Sequence, residues 1–119
     1  HNITIGNNVF INFNGIIMDN AEVIIGDDVR IGPNVGIYTV NHAIDPDERA
    51  KGICICEPVH IGNKVWFGAD VKVLAGVSIG DGSIIGAGSV VTKNVPVGVI
   101  AAGNPCKVIR KINENDRIG

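Results

Sequence analysis

Aromatic residues are scarce in this 119-residue chain, which carries one Trp, one Tyr and three Phe. Large spherical cores draw much of their volume from such rings. Hydrophobic residues nonetheless make up 45% of the chain, and mean hydropathy is +0.28. The apolar volume must therefore come from Ile and Val, and a narrow, rod-like core is expected. Cysteine is also sparse: Cys54, Cys56 and Cys106 form an odd set with two members only two residues apart. That is a poor disulfide framework and points to a reducing, cytoplasmic setting. No apolar run is long enough to span a bilayer, and no charged segment precedes an apolar one as in a secretory leader. A net charge of −2 gives no reason to expect nucleic acid or an anionic membrane as partner. Acidic residues are missing locally: none lies between Gly82 and Asn113, a stretch that holds Lys93, Lys107, Arg110 and Lys111. The C-terminal end is thus basic. The chain opens at His1, without Met, almost inside a repeat, so a natural N-terminal segment is expected to lie outside this sequence.

What the sequence has in abundance is a period of six. Units run Ile3–Asn8, Val9–Asn14 and Gly15–Asn20, then slip by Ala21-Glu22, and continue as Val23–Asp28, Val29–Asn34 and Val35–Val40. After a break at 41–58 the repeat resumes at Val59, Val65, Val71, Val77, Ser83 and Ser89. All twelve units carry a large apolar residue at position three, and nine carry Ile or Val at position one. Alternation between positions one and three is a strand pattern, and no helical face collects residues so spaced. Gly and Asn at the unit ends supply the backbone freedom of a sharp corner. Each unit then reads as one short strand plus a corner. Stacked units pair in parallel about 4.8 Å apart and line up their aliphatics in one column. The fold class is all-β, a parallel β-helix. Three strands per coil would give four coils, although the period fixes neither that number nor the hand.

The chain divides accordingly within a single domain, 1–119. Coils one and two occupy 3–40, an inserted loop occupies 41–58, coils three and four occupy 59–94, and a C-terminal cap occupies 95–119. In the cap, Gly98–Ala102 reads as a closing strand and Lys107–Ile112 as a short basic helix or turn.

The repeat resembles the hexapeptide-repeat acyltransferases, whose fold is a left-handed parallel β-helix, against the usual right-handed crossover. The segments Asn12-Phe13-Asn14, Asn41-His42, Gly86-Ala87-Gly88-Ser89, Thr92-Lys93 and Gly103-Asn104-Pro105-Cys106-Lys107-Val108-Ile109-Arg110 narrow the likeness to the maltose and galactoside O-acetyltransferases. The resemblance implies transfer of an acetyl group from acetyl-CoA directly to a hydroxyl of a sugar such as maltose, glucose or a galactoside. It also implies a homotrimer with sites between subunits, and it places the general base at His42. A hydroxyl is a weak nucleophile until its proton is removed, and imidazole, with a pKa of about 6.5, suits that task at neutral pH. The long insertion that His42 opens is itself a candidate functional loop.

By the same resemblance Asn12 lines the active site, while Asn20, Cys54 and Trp66 border the acceptor. Relatives of the galactoside type carry Asp where this chain has Asn20. The N–H of Ala69 would stabilise the tetrahedral oxyanion. Ala87 and Thr92 would lie along the pantetheine arm, and Lys93, Lys107 and Arg110 would meet the phosphates. Each residue also has a plainer reading. Asn12, Asn14, Asp19 and Asn20 suit corners, small residues are sterically required there, and a basic cap solvates the open end of the rod. The cysteines are read as packing rather than as nucleophiles. Asp45, Asp47 and Glu57 are the candidate carboxylates to orient His42.

Three other readings stay open. One is an acyltransferase of this fold with serine, an amino sugar or an antibiotic as acceptor. Another is a β-helical zinc enzyme, disfavoured because His1, His42 and His60 show no short spacing. The third is a non-catalytic structural β-helix.

Overall fold

The computed structural model describes residues 2–119. The first coil is β1 (Ile3–Ile5), β2 (Phe10–Ile11) and β3 (Ile16–Met18), and the second is β4 (Val23–Ile25), β5 (Arg30–Ile31) and β6 (Gly36–Tyr38). The insertion then forms β7 (Val40–His42), a helix α1 (Pro46–Ala50) and β8 (Cys54–Cys56). The third coil is β9 (Val59–Ile61), β10 (Trp66–Phe67) and β11 (Lys72–Val73). The fourth is β12 (Ser78–Ile79), β13 (Ile84–Ile85) and β14 (Val90–Val91), followed by β15 (Val99–Ala102) and β16 (Lys107–Lys111).

Pairing settles the number of strands per coil at three. The first face of the prism is β1-β4-β9-β12, the second is β2-β5-β10-β13-β15-β16, and the third is β3-β6-β11-β14. Coil-to-coil pairing is parallel, with equivalent units in register, as in Ile5↔Ile25↔Ile61 and Ile11↔Ile31↔Phe67↔Ile85. The rod measures 56 × 28 × 22 Å.

Positions one and three fill the interior. Val23, Val29, Val59, Val71, Ile25, Ile37, Val73 and Phe67 are buried, and Phe67 is the largest fully buried side chain. In the first coil the same positions stand partly open, Ile5 being 45% and Ile11 37% exposed. No coil stacks on their far side among the described residues.

Corners are made at position six. Asn8, Asp28, Lys64 and Gly82 turn the first corner, between faces one and two, with φ from 56° to 74°. Asn14, Asn34, Asp70 and Gly88 turn the second corner, between faces two and three, with φ from 59° to 75°. Asn and Asp tolerate this left-handed backbone better than most residues. Where position four is glycine at the first two corners, the coils approach too closely for a side chain: a Cβ on Gly68 would lie 2.7 Å from the Ala87 nitrogen. The third corner, from face three into the next coil, accommodates both irregularities. The slip at Ala21-Glu22 falls there in coil one, and the β7–β8 insertion falls there in coil two.

The upper end departs from expectation in two ways. The helix continues into a partial fifth coil, where Val95 bridges to Ile79 and β15 stacks on β13. Residues Lys107–Lys111 are a strand rather than a basic helix or turn, and β16 runs antiparallel to β15. Face two ends in open backbone groups at β15, and the returning chain satisfies them. Val108 and Ile109 are β-branched and suit a strand. The position-one serines of coil four serve the incomplete coil above: Ser83 Oγ donates to the Pro96 carbonyl (2.6 Å), and Ser89 Oγ accepts from Gly103 N–H (3.0 Å). No helix among the described residues is long and apolar enough to cross a membrane.

Candidate active site

The insertion is more ordered than its charged composition suggests. Strands β7 and β8 form an antiparallel hairpin with Val40↔Cys56, Asn41↔Ile55 and His42↔Cys54 in register. Its base is clamped where Glu57 N–H donates to the Thr39 carbonyl (2.8 Å). Thr39 is itself buried, and its hydroxyl donates to the Met18 carbonyl (2.6 Å) while accepting from Ala21 N–H (3.0 Å). At the tip, Asp45 caps α1 by accepting from Glu48 N–H (2.9 Å), with Pro46 in the first turn. Arg49 donates to the Ile44 carbonyl (3.1 Å), and Ala43 is buried beneath the tip. His42 therefore sits exposed at the end of a hairpin that is fixed at both ends.

Its ring Nδ1 lies 3.5 Å from the Cys54 sulfur. The candidate carboxylates do not orient it. Asp45 is the helix cap, Glu57 lies against Gly76, and no hydrogen bond or ion pair joins Asp45, Asp47 or Glu57 to His42 among the described residues. The Cys54 contact was not readable from spacing in sequence, because it exists only through the hairpin register.

The remaining candidates fall on two edges of the prism. Asn20 is exposed on the third corner in coil one, and Thr92 and Lys93 are exposed on that corner in coil four, the same edge that bears the His42 hairpin. Asn12, Ala69 and Ala87 lie on the second corner in coils one, three and four. Asn12 is occupied there in corner formation, its Oδ1 accepting from Phe13 N–H (2.8 Å). Trp66 projects from face two, 54% exposed, in register between Arg30 and Ile84. Face three separates these edges, and among the described residues of one chain no hydrogen bond joins Asn12, Ala69 or Ala87 to His42. The described residues of a single chain form no pocket.

The second corner has one chemical peculiarity. At position five of the first corner, backbone N–H groups are capped from the next coil: Asn7 by Asp27 (2.7 Å), Asp27 by Asn63 (2.8 Å) and Asn63 by Asp81 (2.7 Å). At the second corner that position is Phe13, Pro33, Ala69 and Ala87. The N–H groups of Ala69 and Ala87 donate to no protein acceptor among the described residues. Two donors of successive coils thus lie on one edge, about 4.8 Å apart.

Among the basic residues, Lys93 and Lys107 are exposed. Arg110 makes a two-pronged pair with Asp116 (2.7 and 2.9 Å). That hydrogen bond, with a second from Asn113 N–H, holds the Asp116 carboxyl down at about 2. Arg110 therefore arrives at any phosphate already engaged. Burial pushes the Cys106 thiol up, which disfavours its thiolate. No group of three or more His, Cys, Asp or Glu gathers as a metal site among the described residues. His60 pairs with Glu22 (3.1 Å), and His1 lies outside the described residues.

Comparison with known proteins gives consistent matches. Residues 58–93 match the bacterial transferase hexapeptide (six repeats) family, and residues 22–41 match the hexapeptide repeat of succinyl-transferase. The chain is 49% identical over 116 residues to a galactoside O-acetyltransferase of Escherichia coli, covering 98% of this chain and 57% of that protein. A maltose O-acetyltransferase structure from Clostridium difficile superposes with a TM-score of 0.93 at 49% identity, covering 96% of this chain and 61% of that one. A hexapeptide-repeat acetyltransferase from Vibrio cholerae, solved with acetyl coenzyme A, gives a TM-score of 0.93 at 38% identity, covering 95% and 62%. The chain thus spans about three-fifths of these relatives' lengths. The hand of the coil is the left-handed one of these structures. With its coils of stacked six-residue units and these matches along nearly its whole length, the chain is similar throughout to the hexapeptide-repeat acetyltransferases.

Proposed function

We propose that this chain is the β-helical part of an acetyl-CoA-dependent O-acetyltransferase whose acceptor is a sugar hydroxyl. The observation that carries the reading is the pairing of an exposed, rigidly held imidazole on one edge with unpaired backbone donors on another. Relatives named for galactoside and maltose supply the acceptor class.

In this reading His42 Nε2 takes the proton of the acceptor hydroxyl as its oxygen attacks the thioester carbonyl. The Ala69 N–H donates to the oxygen that becomes negative in the tetrahedral intermediate. The intermediate collapses to the acetyl ester, and the imidazolium returns its proton to the departing thiolate. No acyl-enzyme is needed, so the cysteines stay out of bond making. Asn12, Asn20, Cys54 and Trp66 border the acceptor. Ala87 and Thr92 flank the pantetheine arm, and Lys93 and Lys107 offer exposed ammonium groups to phosphate.

Because the two edges lie on opposite sides of face three, the site is assembled between neighbouring chains, and a closed homotrimer is the arrangement we propose. Phe10 and Trp66, both more than half exposed on face two, give a neighbouring prism an apolar surface to cover. Three free thiols suit a reducing cytoplasm.

The test is acetyl-CoA turnover, followed by free-thiol release, against maltose, glucose, galactosides and serine, with His42→Ala beside the parent protein. Sugar-stimulated release that His42→Ala abolishes, with coenzyme A binding intact, is the expected result. Equal rates in the two proteins would overturn the assignment of the base. Stimulation by serine alone would overturn the acceptor class.

A further inference from the structure

A histidine acting through Nε2 must carry its own proton on Nδ1, and the group that Nδ1 meets decides this. In many sites that group is a carboxylate or a carbonyl. Here the hairpin register sets Cys54 directly opposite His42, with Sγ 3.5 Å from Nδ1. The same sulfur lies 3.6 Å from the Gly52 carbonyl, to which the thiol donates. A thiol has one hydrogen. Spent on Gly52, it leaves sulfur lone pairs facing the ring, and the ring must then donate from Nδ1.

We infer that Cys54 is a positioning residue that holds His42 in the Nδ1–H tautomer, leaving the Nε2 lone pair free as the base. The inference rests on the proposed role of His42 and adds to it the group that sets its proton. It also changes what is expected of the site's pH dependence, because the partner is neutral. The other titratable or charged groups on the elements around His42 are Tyr38 on β6, Cys56 on β8, and Asp45, Asp47, Glu48 and Arg49 at α1. Asp45 is tied to Glu48 N–H and Arg49 to the Ile44 carbonyl, and none is hydrogen-bonded to the ring among the described residues. The imidazolium therefore forms without a countercharge on Nδ1.

The experiment combines nitrogen-15 NMR of the His42 ring with rate–pH profiles of the parent protein, Cys54→Ser, Cys54→Ala, Cys54→Asp and His42→Ala. The parent ring is expected to show the Nδ1–H tautomer, and Cys54→Ala a mixture of both. Cys54→Ser, whose hydroxyl can donate and accept in the same way, is expected to keep the parent tautomer and to recover most of the kcat that Cys54→Ala loses. Cys54→Ala is expected to lower kcat about tenfold, the lower end for loss of a group that orients a functional histidine, with KM for acetyl-CoA unchanged. Cys54→Asp places an anion beside the ring and is expected to raise the acid limb of kcat/KM by about one pH unit.

An Nε2–H tautomer in the parent, or a Cys54→Ala protein with unchanged tautomer, kcat and pH profile, overturns the inference. If His42→Ala is inactive while Cys54→Ala matches the parent, the base stands and only the positioning role falls. If His42→Ala is fully active, the base assignment itself falls, whatever the NMR shows.

Discussion

Replacing Ala69 with proline would delete one N–H and almost nothing else, and the coil below shows why. Gly32-Pro33-Asn34 and Gly68-Ala69-Asp70 occupy the same corner in successive coils. Their last residues share a left-handed backbone, with φ of 59° and 62°. Pro33 already meets the demands that Ala69→Pro would impose. The preceding residue is glycine in both cases, so the restriction proline places on its predecessor is tolerated. Ladder bonds around the site use other atoms: Asp70 N–H donates to the Pro33 carbonyl (2.9 Å), and Gly88 N–H donates to the Ala69 carbonyl (2.9 Å). Since the Ala69 N–H has no protein acceptor among the described residues, its loss leaves no acceptor stranded. Stability is expected to change by no more than about 1 kcal/mol, and upward if the stiffer unfolded chain dominates. Activity is another matter. Loss of one preorganised oxyanion donor costs about 3–4 kcal/mol, or about 10²–10³ in kcat. The assay is thiol release at saturating acetyl-CoA and acceptor, with thermal unfolding of the same samples. A variant that unfolds with the parent and turns over at the parent's rate would refute the donor role of Ala69.

Two further expectations concern the scaffold and its cap. Phe67→Ala removes the largest fully buried side chain from a column that cannot collapse without breaking the coil register, so a loss of about 3–5 kcal/mol is expected. An unchanged midpoint in urea would contradict the packing described. Asp116 is held at about 2 by Arg110 and by Asn113 N–H, below the usual value of about 3.9 for an unfolded chain. Whatever this carboxylate contributes to the cap is present above that unfolded value and is lost as pH falls through about 2. A carbon-13 titration of Asp116 with a midpoint near 4 would contradict the pairing. Asp116→Asn should free Arg110 for phosphate and lower KM for acetyl-CoA.

Most of the rod was legible because its information is local. The period of six, the apolar third position and the corner residues recur in every unit, and each coil repeats the argument of the last. The number of strands per coil was not legible, since it depends on how sharply each corner turns. The upper cap was misread for a related reason. Lys107–Ile112 mixes basic and β-branched residues without a clear period, and its conformation is set by the open edge of β15 that it covers. Helix α1 could have been found, because Asp45-Pro46-Asp47-Glu48 carries a cap, a first-turn proline and first-turn acids. His42 and Cys54 could each be named from sequence by resemblance. That they touch, and that no carboxylate reaches the ring, follows only from a register that places residues twelve apart in direct opposition.

The three corners of the prism do different work, and the difference lies at single positions. At the first corner Asn7, Asp27, Asn63 and Asp81 cap one another's backbone from coil to coil. Amide and carboxylate alternate there, so Asp27 and Asp81 stand two coils apart, about 10 Å, near the Debye length at physiological salt. That edge is closed through coil three, where the N–H groups of Asn7, Asp27 and Asn63 are spent on the side chains above them. At the second corner the same position holds Pro33, Ala69 and Ala87, none with a side chain able to cap the coil below. Its N–H groups stay available and its surface stays low. The third corner absorbs extra residues without disturbing the register of faces one to three, and the hairpin that presents His42 grows from it. One repeating unit thereby yields an edge for stability, an edge that offers donors and an edge that tolerates insertion. In the proposed trimer a second copy of the chain brings the last two together, so that proposal makes assembly a condition of the chemistry.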